Sequence, residues 1–322
     1  MTAGDERPAP RPRKRFCAVD SLADGDPLAG TGAHLERNLL VSWPRAKWLR
    51  SMRKARDMPD GIAEALDTIA AAGRRVNLIH RRDRPDDMHR VVLMPECRAF
   101  ELPREALAGF LHALASGTDL KSWPATRVQW PMLLCCTHGR KDKCCAKFGY
   151  AAYSAFAEAV RRHDLGFDVW ESTHLGGCRL AAGAVLLPRL RKYGRIAPAD
   201  VLPLLRAEAA GRPYLPCYRG DSRLPPPAQC AEVAALQWLQ ARGHTGDVSV
   251  EPPDDDVTDD ALRIRVHWRA DSHGGRLLVT CRAMTLKRHD TCADYGEGPP
   301  SPSTVWHAVH IEPCPANEPV TQ

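Results

Sequence analysis

Five of the twelve cysteines in this 322-residue chain crowd together, and four of those five bracket a single loop, CCTHGRKDKCC. They are Cys135, Cys136, Cys144, Cys145 and Cys178. Thiolates at such density serve a metal, an iron–sulfur cluster or thiol redox chemistry, because a thiolate is both a soft ligand and a nucleophile. Cys135 and Cys136 close an apolar run with strand character, so their side chains point to opposite faces and one of them enters a given site. The same argument selects one of Cys144 and Cys145. Downstream, THLGGC places His174 and Cys178 four positions apart across two glycines. A loop that curls there converges an imidazole and a thiol. Gly176 and Gly177 can take positive φ and turn bare N–H groups toward an anionic centre.

The three chemistries fit unequally. Zinc sites favour ligand pairs a few residues apart, whereas eight residues separate Cys136 from Cys145, which weakens zinc without removing it. A [2Fe–2S] cluster is larger, and its two irons can each take a pair of ligands from a separate loop, with thiolate or imidazole as donors. A thiol enzyme working through an exposed Cys135 or Cys144 is the third reading, and no C-x-x-C occurs to support it. Cys17, Cys97, Cys217, Cys230, Cys281, Cys292 and Cys314 are scattered and read as small buried hydrophobes or surface thiols. His138, Arg140, Lys141, Lys143 and Lys147 surround the loop with positive charge, read either as thiolate stabilisation and a docking patch for an acidic redox partner or as a solvated basic loop. Asp142 caps or braces that loop.

The elements that must position these residues recur along the chain. The first half reads as strand LLVSW from Leu39, helix Gly61 to Ala72, strand Arg75 to His80, strand Val91 to Pro95 and a helix from Pro103. The second half repeats the order: strand Trp130 to Cys136, helix Tyr150 to His163, strand Phe167 to Thr173, strand Ala184 to Pro188 and a helix from Pro198. VVLMP and AVLLP occupy matching places, and only the second copy carries cysteines at the strand ends. The expected fold class is α/β, with two lobes in tandem at 31–122 and 123–212. Residues 1–30, rich in Pro, Arg, Asp and Gly, are expected to form a mobile tail. Residues 213–322 read as a linker, a helix from Gln229 to Ala241 and a small β-rich appendage. The acidic run from Glu251 to Asp260 lacks an EF-hand pattern and reads as a solvated linker.

Composition narrows the function. Hydrophobic residues make up 44% and charged residues 26%, the balance of a globular protein. The net charge of +6 is too small to argue nucleic-acid binding, and no apolar run reaches the roughly 18 residues of a membrane span. The amino terminus shows no secretory signal, so a cytoplasmic location is expected, where so many cysteines would not serve as disulfides. No GxSxG, Walker loop or G-x-G-x-x-G supports a hydrolase, nucleotidase or nicotinamide enzyme.

The runs CTHGRKDKCCAKFG, VWESTHLGGCRLAAGAVLLP, KYGRI and YRGDSRLPPPAQCAE, in that order, resemble the sucrase/ferredoxin-like family. The resemblance extends from about Gly32 to Leu239. It implies two thioredoxin-like lobes, the second similar to thioredoxin-like [2Fe–2S] ferredoxins. Members carry C-x8-C followed by H-x-G-G-H. Aligning the basic–Asp pair on Lys141 and Asp142 selects Cys136 and Cys145, and His174 takes the place of the first histidine. Cys178 stands where fungal members have the second histidine. The resemblance thus implies a [2Fe–2S] cluster held by Cys136, Cys145, His174 and Cys178, with His138, Arg140, Gly176 and Gly177 around them. It implies an electron-transfer or redox-sensing protein rather than a stand-alone enzyme, with an unidentified protein as redox partner and no stated oligomeric form. No carboxylate pair stands out to support a glycosidase.

Overall fold

A computed structural model describes residues 15–252, 261–270 and 273–314. The expected acidic linker lies almost wholly outside them. The chain begins with α1 (Cys17–Ala23) and β1 (Asn38–Ser42), then α2 (Asp60–Ala71), β2 (Arg75–His80), β3 (Met88–Met94), β4 (Arg98–Pro103) and α3 (Arg104–Ala115). After the short β5 (Thr126–Arg127), the second copy runs β6 (Met132–Cys136), α4 (Tyr150–His163), β7 (Asp168–Ser172), β8 (Ala184–Leu187), β9 (Arg191–Tyr193) and α5 (Val201–Ala209). The remainder is β10 (Tyr218–Asp221), α6 (Pro226–Ala241), β11 (Asp247–Val250), β12 (Ala261–Ala270), β13 (His273–Arg288) and β14 (Ser301–Pro313).

In the first copy β2 lies parallel to β1, β3 antiparallel on its other side, and β4 antiparallel to β3. β7, β6, β8 and β9 repeat these relations. Each copy therefore has the strand order fourth, third, first, second, with a helix crossing between the parallel pair, which is the thioredoxin-like arrangement. The copies join edge to edge where β2 pairs antiparallel with β7, Ile79 opposite Ser172, giving one ten-stranded sheet. Both β3 and β8 run into a cis-proline peptide, at Met94–Pro95 and Leu187–Pro188.

β1, β6 and β8 are buried at every position, because both faces of the sheet are covered. Alternation then sorts their side chains. Leu39, Val41, Val76 and Leu78 join the core beneath α2 and α3, where Ile62, Ala65, Leu66 and Ile69 form one helical stripe. Leu133, Cys135 and Val169 face α4 and α5. Leu40, Ile79, Leu134, Cys136 and Trp170 point to the opposite face, into a core shared by both lobes.

Two expectations about the ends are corrected. Within the supposed tail, Cys17 and Ala18 of α1 are buried in that shared core, so residues 17–23 belong to the fold. At seven residues the helix is too short for a periodicity argument, and contacts distant in sequence secure it. β10 extends the edge of the large sheet through β9, so the appendage proper is the separate antiparallel sheet β11–β12–β13–β14 packed on α6. Among the described residues, no helix is long and apolar enough to cross a membrane.

Candidate metal centre

The site forms where the chain leaves the parallel strands β6 and β7, with Cys136 level with Ser172 at their carboxyl ends. Open α/β sheets bind ligands at that end of their strands. The loop after β6 returns through a π turn at Cys145–Gly149 that leads into α4, a wide turn frequent at functional sites. Gly149 is what lets the loop close. A Cβ there would sit 1.9 Å from the Cys136 carbonyl oxygen. The second loop turns at Gly176 and Gly177, whose φ values of +88° and +77° are the positive ones expected.

These two loops bring Cys136, Cys145, Cys178 and His174 toward one another. Cys178 Sγ lies 3.4 Å from His174 Nδ1. Cys136 interacts electrostatically with Cys145 and His174, and the Cys145 sulfur lies within 4.8 Å of that of Cys178. Cys136, Cys145 and Cys178 are only 5%, 2% and 3% exposed. The neighbouring Cys136 and Cys178, together with burial, hold the Cys145 thiol well above the ordinary value. Cys145 in turn keeps Cys136 well below that value in spite of burial, and brings Cys178 down to about 7 with help from His174. Burial alone would depress the His174 imidazole, yet hydrogen bonds from the ring to Cys136 and Cys178 outweigh it and lift the group to about 9.

The neighbouring cysteines of each pair turn elsewhere. Cys135 packs with Leu133, Phe156 and Val169 on the opposite face, where burial drives its thiol far up. Cys144 faces Cys17 and Cys292. An inert, buried Cys135 offers no exposed nucleophile.

His138 departs from its expected role. It is fully buried, Nε2–H donates to the Leu49 carbonyl at 2.7 Å, and Nδ1 accepts the His174 N–H at 3.2 Å. Burial lowers its pKa, so it is neutral and positions the His174 backbone instead of contributing to a basic patch. Arg140 is exposed. Lys143 and Lys147 lie over the Phe16 ring, at 5.5 and 4.5 Å from its centroid, and so hold α1 against the loop.

The positive charge that matters is buried, and the sequence pattern did not reveal it. Lys192 Nζ donates to the Ala33 carbonyl at 2.7 Å. Arg219 bonds to Thr31 Oγ1 at 2.9 Å and to the Gly176 carbonyl at 3.3 Å. From the first lobe, Arg75 donates to the His174 carbonyl at 2.6 Å, and Asn77 to the same oxygen at 3.1 Å. Burial lowers Lys192 well below its ordinary value, Arg75 to about 10 and Arg219 to about 9, while negative charge on Cys136 or Cys178 opposes each shift. The signal available was a basic residue set in an otherwise buried strand, in KYGRI and YRGD. Buried cations are costly unless an anion compensates them. A metal–thiolate centre at this site would be that anion, and the donor set of three sulfurs and one imidazole suits iron or zinc.

The sucrase/ferredoxin-like family model matches residues 28–220, more than half of the chain. The chain belongs to the sucrase/ferredoxin-like family. No curated protein matches it. Among solved structures, it is similar to a thioredoxin-like [2Fe–2S] ferredoxin from Aquifex aeolicus, at 16% identity over 30% of this chain and 96% of that one, with a TM-score of 0.27. A wild-type structure of the thioredoxin-like [2Fe–2S] ferredoxin from Aquifex aeolicus gives 16% identity, 28% and 95% coverage and a TM-score of 0.25.

Proposed function

We propose that this sucrase/ferredoxin-like protein is an electron carrier whose [2Fe–2S] cluster is held by Cys136, Cys145, His174 and Cys178. The observation that carries the reading is the convergence of donors: three buried sulfurs and an imidazole from two loops, with Cys178 3.4 Å from His174, backed by Arg75, Lys192 and Arg219. Two donors from each loop match the need of a binuclear cluster for two protein ligands on each iron. Such a cluster supplies a one-electron couple.

The chain's own residues tune that couple. With an oxidised core of +2, three thiolates leave a net charge of about −1, against about −2 for four thiolates and roughly 0 for two histidines. Less negative charge favours uptake of an electron, and the buried cations act in the same direction. His138, Arg75 and Asn77 hold the His174 segment. Exposed Arg140 and Lys143 fit an acidic partner surface. No disulfide forms among the described residues, which suits a reducing compartment such as the cytoplasm.

Anaerobic purification with iron, sulfide and zinc analysis, visible absorption, and EPR after dithionite reduction tests this reading. About two irons and two sulfides per chain with a reduced-state EPR signal are expected. A colourless protein with zinc at this site would overturn it in favour of a structural module.

A further inference from the structure

A second set of donors lies beside this site and takes no part in it. Cys17 at the start of α1, Cys144 in the loop, and Cys292 between β13 and β14 aim their sulfurs at one point. The Sγ–Sγ distances are 3.5 Å for Cys17–Cys144, 3.3 Å for Cys144–Cys292 and 3.5 Å for Cys292–Cys17. The buried carboxylate of Asp142 completes the set, with Oδ2 3.8 Å from Cys17 Sγ and all four ligand atoms within 4.8 Å of one another. Asp142 also lies within that distance of Cys145 and Cys178, so one side chain stands between the two groups.

We propose that Cys17, Cys144, Cys292 and Asp142 form a binding site for a single zinc ion, distinct from the cluster site. Three arguments support a metal over a fortuitous thiol contact. The first is spacing. Tetrahedral zinc with Zn–S bonds of about 2.3 Å sets its sulfurs about 3.8 Å apart, so these sulfurs need open by only a few tenths of an ångström. A disulfide needs about 2.05 Å and would leave the third sulfur unused.

The second argument is the surrounding hydrogen bonding. The Cys17 N–H points at Cys292 Sγ at 3.4 Å and the Ala18 N–H at Cys144 Sγ at 3.5 Å, as donors do to metal-bound thiolates. Asp142 is oriented by the N–H groups of Cys144 and Cys292, both at 2.7 Å. A carboxylate so fixed retains lone pairs for a cation.

The third argument is convergence. The cysteines come from three segments separated by more than a hundred residues, and each segment is braced toward the others. Lys147 lies over Phe16, the Arg15 guanidinium lies 4.3 Å from the Tyr295 ring centroid, and Tyr295 donates to Asp20 at 2.6 Å. A small apolar filler would need no such donor set. On binding, three thiol protons leave to solvent while the carboxylate keeps its charge, and the ion ties α1 and the β13–β14 connection to the cluster loop.

The test is metal analysis of anaerobically purified full chain expressed with zinc present, as wild type, Cys292→Ser, Cys17→Ser and Cys136→Ser. The site predicts about one zinc per chain in wild type, retained in Cys136→Ser and lost in Cys292→Ser and Cys17→Ser. Iron in Cys292→Ser should stay at the wild-type level. Cys292 is half-buried, so its serine variant is the least disruptive, and added zinc should raise the Tm of Cys136→Ser but not of Cys292→Ser. A zinc-free wild type, zinc that follows Cys136 instead of Cys292, loss from both variants, or a disulfide among these cysteines would overturn the proposal. Zinc that depends on Cys292 in a protein without iron would refute the cluster reading and leave this site standing.

Discussion

Gly149 sits so close to Cys136 that a Cβ on the glycine would lie 1.9 Å from the cysteine's carbonyl oxygen. The contact is backbone to backbone, so no rotamer change relieves it. Gly149→Ala must push the π turn off the end of β6, and Cys145 moves with it. A cost of roughly 1–3 kcal/mol or more is expected from such overpacking, with clear loss of iron per chain. Gly61→Ala in α2 is the control, because nothing lies within 4 Å of its Cβ position. That change should be neutral or stabilising by up to about 1 kcal/mol. Equal iron content in wild type and Gly149→Ala would show that the loop does not depend on this approach.

Ligand charge should set the midpoint potential of the proposed cluster. Replacing His174 by Cys adds one negative ligand and should lower the midpoint potential, whereas Cys178→His removes one and should raise it. Plant-type and two-histidine centres differ by at least about 250 mV, so each single exchange should move the potential by on the order of 100 mV. Arg219→Met, which deletes a buried cation on the Cys178 side, should lower the potential without changing the ligands. Protein-film voltammetry measures all three, and shifts of the opposite sign would contradict the assigned electrostatics.

Acid sensitivity follows from His34. Burial, then the charges of Arg75 and Lys192, hold its pKa well below the ordinary 6.5, with its ring hydrogen-bonded to Asn38 Oδ1 at 2.9 Å and Arg219 adding further repulsion. The folded protein thus keeps His34 neutral, while the unfolded chain takes up a proton near pH 6.5. Stability from this group is complete above that pH and is lost as pH falls below it. The slope is up to about 1.4 kcal/mol per pH unit. In denaturant titrations, His34→Gln should therefore gain on the wild type from pH 6.5 downward. Parallel stability curves for the two proteins would assign the acid loss to other groups.

Much of this architecture was legible because the repeated apolar strands are short, continuous and bounded by proline, as VVLMP and AVLLP show. Alternation at Cys135–Cys136 does place the two side chains on opposite faces of the sheet, whereas Cys144 and Cys145 lie in a helical turn where strand parity does not apply. β4 and β9 escaped notice because RAFELP and RKY mix charged and apolar residues without a clean period. α1 has the same difficulty, and its burial depends on partners far along the chain. The Cys17–Cys144–Cys292 group spans up to 275 positions. No local spacing encodes such a meeting. Likewise Lys192 and Arg219 resemble surface bases until the fold encloses them, and His138 resembles a loop base until both its ring nitrogens find backbone partners.

The last prediction separates positioning from charge in the first lobe. Asn77 is fully buried, and its Nδ2 donates to the Thr173 carbonyl at 3.2 Å, to Thr173 Oγ1 at 3.1 Å and to the His174 carbonyl at 3.1 Å. Asn77→Ala strands buried acceptors at a cost of about 1–3 kcal/mol and loosens the segment that presents His174. If that energy is spent on holding the ligand, cluster loss to a chelator should accelerate roughly fivefold to a hundredfold. No charge changes, so the midpoint potential should stay near its wild-type value. Arg75→Gln touches the same carbonyl but also removes a cation beside Cys136, so it should both speed cluster loss and lower the potential. Should Asn77→Ala shift the potential as far as Arg75→Gln does, geometry instead of charge would be tuning the centre. Should neither variant change the rate of cluster loss, the first lobe would have no part in holding His174.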